Sequence, residues 1–130
     1  MSKQRFLVTG GAGFIGSNIV EELLKQGHAV RVLDNFSTGK RENIRQFSGD
    51  IEVIEGDIRS YHLVLQATKG INTIFHEAAL PSVQRSIDDP ITSSEVNVSG
   101  TLNILEAARE NGVEKIVFAS SSSVYGDNPE

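Results

Sequence analysis

The 130 residues suit one domain, and 38% hydrophobic content is enough for a real core. A net charge of −5 argues against a nucleic-acid footprint, which is basic and clustered. No apolar run approaches the roughly 18 residues of a membrane helix, and the lack of Cys excludes a disulfide framework or a thiolate nucleophile.

Residues 1–11, MSKQRFLVTGG, hold an apolar run that glycines break within a few positions. They are not a signal peptide, and a cytoplasmic protein is expected. Residues 5–10 then read as a strand breaking into glycine. Residues 14–27 read as a helix, with Ile15, Ile19, Val20, Leu23 and Leu24 on one stripe and Gly27 as its stop. A strand follows at 28–35, a short helix at 41–47 and a strand at 51–57. Ser60 caps a helix at 61–68. Residues 71–79 form a strand running into a loop. Pro90 and Gly112 bracket a long helix at 91–112, and 114–121 is the last strand. Strict β-α alternation predicts an α/β fold: a Rossmann-type three-layer αβα sandwich with five parallel strands in the order 3-2-1-4-5. Ligands bind such sheets beside the carboxyl ends of the strands, at the switch between strands 1 and 4.

The residues after each strand are therefore the ones that matter. After the first comes TGGAGFIGS, with Gly10, Gly13 and Gly16 spaced G-x-x-G-x-x-G. Gly10 permits a tight turn, Gly13 a close approach of pyrophosphate, and Gly16 close packing of the helix. The amides at the start of helix 14–27 then face the phosphates. No Gly-Lys-Ser/Thr closes the motif, so it is not a P-loop. Asp34 ends the second strand, 18 residues past Gly16, where an acid holds the adenosine ribose hydroxyls. A carboxylate there repels a 2′-phosphate and favours NAD over NADP, although Lys40 and Arg41 stand nearby. Asp57 and Ile58, after the third strand, lie where an adenine would sit. The carboxylate of Asp57 can accept from the adenine amino group, and the Ile58 backbone can meet the ring. The three histidines are scattered, so no metal is expected. His28 and His62 read as surface residues, and His76 as packing at a strand end.

With HEAA (76–79), VNVSGT (96–101) and SSSSVYGD (120–127), these residues resemble the extended short-chain dehydrogenase/reductase family, in particular its NAD-dependent nucleotide-sugar epimerases and dehydratases. The resemblance covers essentially the whole chain. It implies that backbone amides of Phe14 and Ile15 cover the pyrophosphate. It places Asp34, Asn35, Ser37, Thr38 and Gly39 around the adenosine ribose, and Asp57 and Ile58 at adenine. It puts Ala78, Ala79 and Leu80 along the cofactor channel, and Asn97 among the elements around the nicotinamide. Ser121 stands where the family keeps its catalytic Ser or Thr, and Ser122 and Ser123 would meet substrate. Residues 76–90 look most like the branch acting on UDP-N-acetylglucosamine or UDP-glucuronic acid. Pro81 replaces a Lys that some galactose-type epimerases carry, which points the same way.

The chemistry that the resemblance implies needs a Tyr-x-x-x-Lys pair, with the tyrosinate as base and the lysine lowering its pKa. Tyr61 is followed four residues later by Leu65, and Tyr125 by Pro129. The expectation is an NAD-binding domain over 1–130, the N-terminal portion of an epimerase-like protein. It would hold NAD but lack turnover, and would meet a nucleotide sugar only in a full-length context. Two other readings compete: a folded scaffold that binds no cofactor, and a non-catalytic NAD sensor. An open edge at strand 114–121 and apolar surface on helix 91–112 lead to an expected homodimer, with no nucleic acid and no membrane as partner.

Overall fold

The computed structural model describes residues 3–36, 41–47, 49–77 and 90–119. Five strands, β1 (Arg5–Thr9), β2 (Ala29–Asp34), β3 (Ile51–Glu55), β4 (Thr73–Glu77) and β5 (Lys115–Ala119), form one sheet. Among the described residues four helices alternate with them: α1 (Phe14–Lys25), α2 (Glu42–Arg45), α3 (Tyr61–Ala67) and α4 (Pro90–Asn111). Every strand pair is parallel and the order is β3-β2-β1-β4-β5, as the alternation predicts.

The strand order explains the strand compositions. Central β1 is buried from Phe6 to Thr9, so it reads as an apolar run. Edge strand β3 buries none of its residues fully and can carry Glu52 and Glu55. Side chains alternate across the sheet and divide the core in two. Phe6, Val8, Val30 and Val32 pack with Val20 and Leu23 of α1 and Ile44 of α2. Leu7, Leu33 and Ile74 pack on the other face with Val64 and Ala67 of α3 and Ile104, Ala107 and Ala108 of α4.

Most predicted elements run a residue or two long. Helix α1 stops at Lys25, because Gln26 caps it and Gly27 turns away at φ 87°. Strand β3 stops at Glu55, where the Gly56 amide gives the β2–β3 ladder its last bond, to the Asp34 carbonyl. Ser60 does cap α3, its hydroxyl accepting from the Leu63 amide at 3.4 Å. His28 is a correction, since it is buried and not on the surface. Its ring meets Phe6 edge-on at 5.0 Å, and its Nδ1 accepts from the Gln4 amide at 3.1 Å. Among the described residues no helix is long and apolar enough to cross a membrane.

Candidate functional site

The carboxyl ends of β1, β2 and β3 are stitched into one rim. The Gly10 amide donates to the Leu33 carbonyl at 2.8 Å, and the Gly56 amide to the Asp34 carbonyl at 3.0 Å. The turn after β1 and the turn after β3 are thus both tied to the end of β2.

The glycine turn follows from sterics. Gly10 sits at φ 72°, a left-handed conformation that costs other residues, and its carbonyl accepts from the Gly13 amide at 3.1 Å. A Cβ on Gly16 would lie 2.1 Å from the Gly10 oxygen, so α1 can approach the turn this closely only with glycine there. Gly13 is the N-cap residue of α1. No side chain caps the helix, and its first turn holds no acid. The orphan amides at this end, those of Phe14 and Ile15 included, carry the positive end of the helix dipole. Gly11, which the glycine spacing does not single out, is also constrained, since a Cβ there would lie 2.7 Å from Val32 Cγ1.

Asp34 lies under this turn because strand alternation puts it on the face of Val30 and Val32. Its side chain is buried, and both carboxylate oxygens hold backbone. The Ala12 amide donates to Oδ2 at 2.9 Å and the Phe36 amide to Oδ1 at 2.7 Å. The second bond fixes Phe36 at φ 60°, an unfavourable conformation for an aromatic residue. The Arg41 guanidinium lies 4.2 Å above the Phe36 ring and is paired with Glu55. Asn35 beside it is exposed.

On the adenine side, Asp57 is held in its own turn. The Arg59 amide donates to Oδ1 at 2.9 Å, and the Arg59 guanidinium pairs with Oδ2 at 2.7 Å. The Arg59 side-chain bonds hold the Asp57 carboxyl below the usual range, so it is an anion and an acceptor. Ile58 is fixed by α4: Asn103 Nδ2 donates to its carbonyl at 2.8 Å, and its side chain covers Gly100. A Cβ on Gly100 would lie 2.2 Å from Ile58 Cδ1.

Next to the rim, His76 bridges three elements. Its Nδ1 shares a 2.7 Å hydrogen bond with the Thr9 hydroxyl of β1, and its Nε2 lies 3.3 Å from the Thr101 hydroxyl of α4. Phe118 of β5 meets its ring edge-on at 5.9 Å. Burial pushes its pKa down to about 4, so the ring is neutral and structural.

Gly10, Gly13, Phe14, Ile15, Gly16, Asp34, Asn35, Asp57 and Ile58 are therefore gathered along one rim. Asn97 falls on α4, but its side chain lies outside the described residues, as do Ser37, Thr38, Gly39, Ala78, Ala79, Leu80, Pro81, Ser121, Ser122 and Ser123. The model of the NAD dependent epimerase/dehydratase family matches residues 6–130.

The chain belongs to that family. Among family relatives, the UDP-glucose 4-epimerase of Mycolicibacterium smegmatis is 48% identical over 129 residues, covering 96% of this chain and 41% of that protein. The UDP-N-acetyl-alpha-D-glucosaminuronate decarboxylase of Bacillus cytotoxicus is 42% identical over 124 residues, covering 95% and 38%. The UDP-glucose 4-epimerase of Thermus thermophilus, solved in complex with NAD, superposes with a TM-score of 0.79 at 49% identity, over 88% of this chain and 36% of that one. The chain thus spans about two fifths of the length of these relatives. Their names carry different reactions at similar identity.

Proposed function

We propose that residues 1–130 form the NAD-binding Rossmann unit of a nucleotide-sugar epimerase or dehydratase. The observation that carries the reading is the glycine turn, packed too tightly for a Cβ at Gly16 and opening onto an uncapped, acid-free helix start. That combination suits a pyrophosphate. In this reading the Phe14 and Ile15 amides take the phosphates. The free lone pairs of the Asp34 carboxylate take the ribose hydroxyls, while Asn35, Ser37, Thr38 and Gly39 surround them. Asp57 and Ile58 meet adenine, and Ala78, Ala79, Leu80 and Asn97 line the way to the nicotinamide. The Asp34 carboxylate repels a 2′-phosphate, and Arg41 is already paired with Glu55 and stacked on Phe36, which favours NAD over NADP. The bound cofactor would supply hydride acceptance and return.

These residues bind and orient. Ser121 would hydrogen-bond the reacting sugar oxygen, and Ser122 and Ser123 would touch the sugar nucleotide. Turnover is not assigned to residues 1–130, because neither Tyr61 nor Tyr125 has a Lys four residues later. The apolar residues Leu102 and Leu105 of α4 and Phe118 of β5 are exposed and suit a homodimer, which light scattering at high concentration checks.

One observation favours a second reading. Both oxygens of Asp34 already hold backbone amides, as they would if the acid served only the turn. Calorimetric titration with NAD⁺ and NADP⁺ separates the two. Saturable binding that prefers NAD⁺ and is lost in Asp34→Ala supports the cofactor site. A folded chain that binds neither supports the architectural reading.

A further inference from the structure

Ala12 is fully buried at the centre of the glycine turn, and the peptide groups before and after it are both held. The Asp34 carboxylate takes its amide at 2.9 Å. Asn43 Nδ2, on α2 and 31 residues away in sequence, donates to its carbonyl at 2.7 Å. Only the amide nitrogen of Asn43 can serve a carbonyl, so the geometry fixes the orientation of the side chain. Helix α2 has just four residues and does not persist by itself. Tertiary contacts hold it: Ile44 is buried with Val20, Leu23 and Val32, and Arg41 joins it to Phe36 and Glu55.

We propose that Asn43 is a positioning residue for the dinucleotide: it locks the peptide between Ala12 and Gly13, as Asp34 locks the one before it, and so aims the Phe14 and Ile15 amides at the pyrophosphate. The inference rests on the cofactor reading above. Asn43 touches no part of the cofactor in this scheme. It acts through a single peptide, the one preceding the N-cap residue of α1. A turn that is free to rotate about Ala12 presents its donors in several directions, and a bound phosphate must then order them at its own expense. Asn43 also makes the turn sensitive to the seating of α2, because its backbone moves with Ile44.

The test uses the full chain and Asn43→Leu, which keeps the size and removes the donor. NAD⁺, ADP and adenosine are titrated by calorimetry or by amide shifts in NMR. Amide exchange of Ala12 and Gly13 is read in the ligand-free protein. NAD⁺ and ADP should bind about tenfold more weakly to the variant, while adenosine binds as before. The two amides should exchange faster without ligand. A role limited to stability would move all three ligands together. If the wild type binds NAD⁺ and the variant binds it equally well, the positioning role falls and the cofactor reading stands. An equal loss for adenosine and NAD⁺ also overturns it. If the wild type binds no NAD⁺, the cofactor reading fails and takes the inference with it. Asn43→Ala, smaller and free of any steric clash, must reproduce the pattern if Leu disturbs folding.

Discussion

Acid should destabilise this domain through one ring, His76, before most carboxylates titrate. The side chain is 1% exposed and stays neutral in the folded chain down to about pH 4, against an ordinary value of 6.5. The unfolded chain takes up that proton from about pH 6.5 downward. Between the two values the unfolded state therefore binds more protons, and stability falls as pH falls. The stabilisation is intact above pH 6.5 and is lost progressively toward pH 4. The loss from this ring comes to about 2 kcal/mol at pH 5 and about 3 kcal/mol at pH 4. That is a large share of the stability of a domain this size. The assay is urea unfolding of wild type and His76→Gln from pH 7.5 to pH 4. Gln keeps hydrogen-bonding groups for Thr9 and Thr101 but does not titrate. The variant should be less stable at neutral pH, and the gap should close as the solution is acidified. The carboxylates of Asp50 and Asp57, held below their ordinary value by Lys3 and Arg59, act at lower pH and cancel between the two proteins. Parallel pH profiles would show that His76 does not carry the acid sensitivity.

Gly16→Ala sets helix propensity against a clash. Alanine gains about 1 kcal/mol in a helix, but its Cβ would meet the Gly10 carbonyl at 2.1 Å, and a backbone atom cannot rotate away. The clash should win, with a net loss of about 2–3 kcal/mol in urea unfolding; a stabilised variant would show that α1 can slide. Arg31 separates buried from exposed charge. Its Nη1 donates to the Ala67 and Lys69 carbonyls at 2.8 and 2.9 Å, so Arg31→Met should cost about 2 kcal/mol. Glu52→Gln, which removes only its exposed ion-pair partner at 3.0 Å, should cost less than about 0.5 kcal/mol in the same assay.

The architecture is legible in the sequence because parallel sheets write themselves plainly. Apolar runs such as Phe6 to Val8, separated by amphipathic segments, permit little except a doubly wound sheet. Glycine positions are legible where a turn needs them, as at Gly10 and Gly16. Other features depend on contacts between distant parts of the chain. Asn43 and Asn103 sit on helices, where polar residues ordinarily face water, and nothing local shows that each reaches a carbonyl 31 or 45 residues away. Asp34 stands out as an acid at a strand end, but its hold on Ala12 and Phe36 requires the turn to fold back above it. His28 reads as a surface residue for the same reason. Its burial comes from Phe6, the neighbouring-strand residue that the ring packs against.

The division of the core has a dynamic consequence. Ala12 belongs to the apolar cluster on the α1–α2 side of the sheet, and Ile58 packs against the cluster on the α3–α4 side. Two clusters with no shared residue, joined through one backbone ladder, lead us to expect two regions of local unfolding, which amide exchange would resolve as two groups of protection. The phosphate end of the rim belongs to one region and the adenine end to the other. A ligand that bridges both ends would make the opening of either side cost the whole binding energy, and two independent breathing motions would become one.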